Sequence, residues 1–224
     1  MAKHISEHFS EQLAGIRERV LRMGGLAEQM TRRVIQALVQ RDASLLAEVR
    51  SMETQVNQLH IDIDEAALEL IALRQPAAGD LRFIAAAMKI NTDMERIGDQ
   101  AINILQCAEA LLAVPPLKPL IDIPRMAEIA QEMLKDALDA FVNADDDLAY
   151  RTILRDDEVD QLKDQVFREL LTYMMADPST IPRAMDLILV SRHLERIADH
   201  ATNICEDVIF MAKGKDVRHQ GPLA

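Results

Sequence analysis

A ten-residue segment occurs twice in this 224-residue chain, one hundred positions apart. Glu95-Arg96-Ile97-Gly98-Asp99-Gln100-Ala101-Ile102-Asn103-Ile104 aligns with Glu195-Arg196-Ile197-Ala198-Asp199-His200-Ala201-Thr202-Asn203-Ile204, and seven of the ten residues are identical. The correspondence continues upstream. Leu38-Val39-Gln40-Arg41-Asp42 matches Phe141-Val142-Asn143-Ala144-Asp145, and Val56-Asn57-Gln58-Leu59 matches Val159-Asp160-Gln161-Leu162, both at an offset of 103. The drop from 103 to 100 makes the loop around Ala176-Asp177-Pro178-Ser179 three residues shorter than its counterpart. One structural unit used twice is therefore the frame into which every other feature must fit.

The unit is helical. Phe9, Leu13, Ile16, Val20, Met23, Ala27, Met30, Val34 and Ala37 recur at alternating steps of four and three, as do Leu45, Val49, Met52, Val56, Leu59, Ile63, Ala66 and Leu70. That spacing places one apolar seam along each of two long helices. Gly24-Gly25 interrupts the first and is expected to weaken or bend it. Asp42 stands at the N-cap of the second, and Arg74-Gln75-Pro76 ends it. A third helix runs from about Asp80 to about Ala113, where Pro115-Pro116, Pro119 and Pro124 forbid continuation. Seven aromatic residues, no Trp and only 7 Gly and 8 Pro leave too little material for β-structure. The expected fold is all-α: two tandem, pseudo-symmetric three-helix bundles made of six long antiparallel helices. The first spans 1–114, a Pro-rich linker 115–123, and the second 124–224.

Charge excludes several classes of partner. The net charge of −12 comes with no clustered Lys and Arg, so the footprint for nucleic acid or an anionic membrane is missing. The longest charge-free run, Gln100 to Ala108, is nine residues, far below the roughly 18 needed to cross a bilayer. With no apolar signal core near the start, a cytoplasmic protein is expected. Cys107 and Cys205 lie in apolar helical sequence and read as buried small hydrophobes.

At 100° per residue, Ile90, Met94, Ile97, Ala101 and Ile104 gather on one side of the third helix, with Glu95, Asp99 and Asn103 on the other. The second copy repeats that trio as Glu195, Asp199 and Asn203. Carboxylates at i and i+4 lie about 5–6 Å apart at Cβ, close enough to share a cation. The second helix offers a matching strip of Glu53, Asn57, His60 and Asp64, and Asp156 and Asp160 are the second-copy equivalents of its first two members. If helices two and three form a hairpin, two acidic strips converge on one flank of each bundle. Arg96 and Arg196 next door offer surface ion pairs as the simpler use of these acids. Oxygen donors suit magnesium, manganese, calcium or iron, and the absence of inward Glu-x-x-His pairs disfavours oxidase chemistry.

Other signals are thin. His193 replaces Asp93 and His200 replaces Gln100, which reads as surface or edge histidines. Met174-Met175 reads as core filler, and the runs Asp145-Asp146-Asp147 and Asp156-Asp157-Glu158 as solvated helix starts. No Gly-rich phosphate loop or paired-Cys motif is present in the sequence.

The tandem Glu-Arg-Ile-x-Asp copies, Arg74-Gln-Pro-Ala-Ala-Gly-Asp-Leu-Arg82, Met23-Gly-Gly25 and Leu171-Thr-Tyr-Met-Met-Ala-Asp177 together resemble the PhoU family of bacterial phosphate regulators. The resemblance runs from Lys3-His4-Ile5-Ser6 to Lys213-Gly-Lys-Asp-Val-Arg-His-Gln-Gly221. It implies a cytoplasmic regulator rather than an enzyme, usually a homodimer. Such proteins act with the ATP-binding subunit of the phosphate ABC transporter and with the phosphate sensor histidine kinase, keeping the starvation response off when phosphate is plentiful. They meet the membrane only through those partners. The resemblance also implies metal ions (Fe, Mn, Mg or Zn) at Glu95, Asp99, Glu195 and Asp199. Glu53, Asn57, Asp93, Asn103, Asp156, Asp160 and Asn203 are further candidate metal or docking residues. Asn57 is not an acid, and His193 opposite Asp93 breaks the symmetry between the two sites. Two other classes stay open: a metal-binding bundle that regulates a different ion transporter, and a carboxylate-metal enzyme.

Overall fold

The structure, a computed structural model, describes residues 2–74 and 76–217. Gln75 and the stretch from Arg218 to Gly221 lie outside the described residues. Seven α-helices are present among them: α1 (Ala2–Gln40), α2 (Ser44–Arg74), α3 (Ala78–Leu112), α4 (Asp122–Asn143), α5 (Asp146–Ile153), α6 (Asp156–Ala176) and α7 (Ile181–Lys213). A 3-10 turn, Pro178–Thr180, precedes α7 and takes the place of the first turn of α3. There are no strands among the described residues.

The all-α expectation holds, with one element more than six. The second helix of the second unit is broken at Leu154-Arg155 into α5 and α6. At the break the Arg155 N–H bonds to the Thr152 carbonyl at 3.0 Å, a tighter turn than an α-helix makes. The Arg155 guanidinium is drawn to Glu132 (2.6 Å) and Asp136 (3.5 Å) on α4.

The repeat is copied down to its caps. Arg41 and Ala144, aligned at offset 103, both adopt left-handed backbone (φ 57° and 50°) after α1 and α4. The next residues, Asp42 and Asp145, each donate an N–H to a carbonyl five residues back, Ala37 and Ala140, at 3.0 Å. Their side chains then turn to the following helix. Asp42 Oδ1 accepts from the Ser44 N–H at 2.9 Å, and Asp145 Oδ1 from the Leu148 N–H at 2.9 Å. One residue pair thus closes one helix and opens the next in both copies.

The seams expected from spacing are buried. Val20, Met23, Ala27, Met30, Val34 and Ala37 of α1, and Ile90, Met94, Ile97, Ala101 and Ile104 of α3, are fully inaccessible. On α2 the seam holds at Val49, Val56, Leu59, Ile63 and Leu70, while Leu46 and Ala67 are buried beside Leu45 and Ala66, which pack partly exposed against the core. Met175 corrects the core-filler reading, because it is 78% exposed while Met174 packs against the core.

Gly24-Gly25 does not break α1, which runs through both. The reason is packing: a Cβ on Gly24 would lie 2.6 Å from Leu138 Cδ1 of α4, so the glycine permits close approach of the two helices. α4 begins at Asp122 and carries Pro124 in its first turn, where the missing N–H costs nothing. The linker is fastened on both sides. Arg41 donates to the carbonyls of Leu112 and Val114 at 3.0 and 2.6 Å, and Arg183 to that of Pro115 at 3.2 Å. Within each half the three helical segments pack together, and α3 and α7 then pack on each other more extensively than any other pair. The buried residues form one hydrophobic cluster that spans both halves.

Candidate functional site: two acidic flanks and the seam between them

In the second half, α6 and α7 bring four carboxylates together. Asp156 and Asp160 come from the first turns of α6, where acids suit the exposed N–H groups. Glu195 and Asp199 come from one face of α7. Burial pushes the Asp156 carboxyl up to about 6, and Asp199, Asp160, Glu195 and Asp157 push it in the same direction. Asp199 is also raised, by desolvation and then by Glu195 and Asp160. Asp156 Oδ1 is buried and accepts no hydrogen bond among the described residues.

The decisive group in this flank is a residue that spacing did not single out. Lys163 Nζ lies 2.6 Å from Asp160 Oδ1 and 2.9 Å from Glu195 Oε1, joining α6 to α7. Its ammonium is held well above the usual lysine value, first by the bond to Asp160 and then by Glu195. The sequence signal was present, since Asp160 and Lys163 are three apart on one helical face.

The first half is looser. Arg96 pairs with Asp99 (3.2 Å) and Glu95 (3.4 Å) on the same helix. Glu53 is half-buried and Asn57 exposed on α2, and no hydrogen bond joins either to these acids among the described residues. Asn103 is half-buried further along α3. Asn91, fully buried, ties α3 to α2 by donating to the His60 carbonyl and to Asp64 Oδ1, both at 2.9 Å.

Asp93 and Asn203 do not join the flanks. Asn203 Nδ2 donates to Asp93 Oδ1 across the α3–α7 seam at 3.2 Å, and His200 Nδ1 meets the same oxygen at 2.8 Å. His193 Nδ1 meets Gln100 Oε1 at 2.9 Å. These pairs exchange under the pseudo-symmetry, because 93 aligns with 193 and 100 with 200. The histidines are therefore seam residues rather than plain surface ones. The clue in the sequence was that each copy replaces its positions with complementary groups seven residues apart, two turns along one face. Burial, then Arg196 and Arg192, lower the affinity of His193 for a proton. Cys107 and Cys205 are free and buried, and desolvation raises them to about 11 and about 12.

A hard divalent cation suits the second flank in donor type, and the orphan oxygen of Asp156 would gain from one. The Lys163 ammonium nevertheless already stands between Asp160 and Glu195. Among the described residues, no three His, Cys, Asp or Glu side chains are grouped closely enough to ligate one ion.

Fold and site together define an all-α, two-repeat scaffold with acidic faces; no described helix is long and apolar enough to cross a membrane. The PhoU domain model matches residues 20–108 and 123–208, and the chain belongs to the PhoU family. It is 42% identical over 223 residues to a phosphate-specific transport system accessory protein PhoU homolog of Caulobacter vibrioides, covering 99% of this chain and 97% of that one. To the accessory protein PhoU of Escherichia coli it is 38% identical over 219 residues, covering 98% and 91%. The crystal structure of PhoU from Pseudomonas aeruginosa superposes with a TM-score of 0.89 at 39% identity, covering 92% of this chain and 100% of that chain.

Proposed function

We propose that this protein is a cytoplasmic regulator of phosphate uptake and homeostasis. It binds the ATP-binding subunit of the phosphate ABC transporter and the phosphate sensor histidine kinase, and holds the starvation response off when phosphate is plentiful. The observation that carries this reading is similarity over nearly the whole chain to proteins named as phosphate transport accessory proteins. The two halves, 1–114 and 124–224, are the repeated units, and the protein acts as a homodimer without catalysing a reaction.

The acidic flanks are the docking faces. The second continues into a row of exposed apolar residues, Phe167, Leu171 and Met175 on α6 and Ile181, Met185 and Leu189 on α7, the kind of surface that partners cover. A partner with basic and apolar groups would complement both parts. Metal ions of the Fe, Mn, Mg or Zn type bind at Glu95 and Asp99, where an exposed Arg96 pair is readily displaced.

The test is the quadruple change Glu95→Gln, Asp99→Asn, Glu195→Gln and Asp199→Asn in the full chain. Helical content should be unchanged, since all four are surface or half-buried positions. Affinity for the purified ATP-binding subunit and for the kinase cytoplasmic region should fall at least about tenfold. Unchanged binding and repression would remove the acidic flanks from the function.

A further inference from the structure

The two acidic flanks share a plan, but the strip on the second helical segment differs at all four aligned positions: Glu53, Asn57, His60 and Asp64 face Asp156, Asp160, Lys163 and Phe167 in the alignment. Asn57 stands where the second copy has Asp160, and His60 stands where it has Lys163. The consequences are unequal. Lys163 reaches across from α6 to α7 and satisfies one acid on each helix. His60 turns along its own helix, with Nε2 3.7 Å from Asp64 Oδ2, while its buried Nδ1 makes no hydrogen bond among the described residues. Arg50, one turn before Glu53 on α2, is engaged with Glu109 at 2.8 Å. Arg96, which pairs with the first-flank acids Glu95 and Asp99 on its own helix, is 56% exposed.

We infer that Lys163 is the second flank's resident cation, a tethered ammonium standing where a divalent ion would have to bind, so that metal loads the first flank and is excluded from the second. For an ion to bridge Asp160 and Glu195 it must displace two charge-assisted hydrogen bonds. The ammonium, on its four-carbon stem, would then remain within several ångströms of a doubly charged ion, a repulsion that a partly desolvated site does not screen away. At the first flank, by contrast, an exposed guanidinium can swing into water at little cost. Lys163 in the place of His60 thus turns a duplicated acidic motif into one metal-competent face and one self-neutralised face. The first-flank half of this inference rests on the metal reading above; the role of Lys163 does not.

Manganese titration of the full chain, followed by the electron paramagnetic resonance signal of free Mn2+, tests it. The native chain should bind at one class of sites, lost in Glu95→Gln/Asp99→Asn and kept in Glu195→Gln/Asp199→Asn. Lys163→Met, or Lys163→Gln if the first loses its helical fold, should add a second class at least about tenfold tighter than any second-flank binding in the native chain. Lys163→Arg, which keeps the charge, should behave as the native chain, and His60→Lys should lose the first class. Native binding that depends on Glu195 and Asp199, or a folded Lys163 variant that gains no site, overturns the inference. If only the Lys163 variant binds, at Glu195 and Asp199, the ammonium's role stands and the first-flank metal reading fails.

Discussion

Asp156 is crowded in the second flank: its burial and four neighbouring acids, Asp199, Asp160, Glu195 and Asp157, all oppose its ionisation. Its carboxyl titrates near 6 when folded against 3.8 for the free group, so the folded chain binds the extra proton between those values. Stability conferred by that proton is full below about pH 4 and is lost as pH rises through 6. Asp156→Asn removes the opposed charge. At pH 8 the variant should be more stable than the native chain by about 1 kcal/mol, a figure reduced from the full shift because the flank is partly open to water. Near pH 4 the advantage should vanish. Urea denaturation at the two pH values measures it, and equal gains at both would show that the crowding of acids is not the cause. The acids themselves were legible from their spacing. Lys163 was not read as one of the group, since a lysine three residues from an aspartate is common and only tertiary contact carries its ammonium to Glu195.

Among the elements, α1 shows how two adjacent glycines in one helix differ by what faces them. Gly25 has nothing within 4 Å of a built Cβ, whereas Gly24 faces Leu138 of α4 at 2.6 Å. Gly25→Ala should therefore stabilise by about 0.5–1 kcal/mol, the difference in helix propensity. Gly24→Ala gains the same propensity but must push α4 away, and it should lose about 1 kcal/mol net. Thermal unfolding of the two variants side by side separates propensity from packing. Equal behaviour would mean that α1 and α4 do not need their close approach. Sequence alone marked the pair as a weak point in a helix. It did not distinguish them, because the direction each faces depends on where α4 lies. The same holds for the break between α5 and α6, where Arg155 is drawn toward acids on α4.

For the whole molecule, the extensive α3–α7 contact and the shared core mean that the halves support each other. Separating the halves would expose the α3 and α7 faces and leave Asp93, His193, His200 and Gln100 without their cross-seam partners. Produced separately, residues 1–114 and 124–224 should each show lower and broader thermal transitions than the intact chain, and mixing them should restore part of the loss. Two independent transitions matching the intact protein would mean that the seam contributes little.

The sequence by itself determined the helical class, the duplication, the capping role of Asp42, and the acids that share a helical face. Each is a local matter, set by composition, period and residues within a few positions. Only the tertiary structure decided which of those groups meet: Lys163 with Glu195, His200 and Asn203 with Asp93, Gly24 with Leu138. These are contacts between helices far apart in the chain, and a period fixes which face of a helix is polar without fixing which other helix comes to cover it.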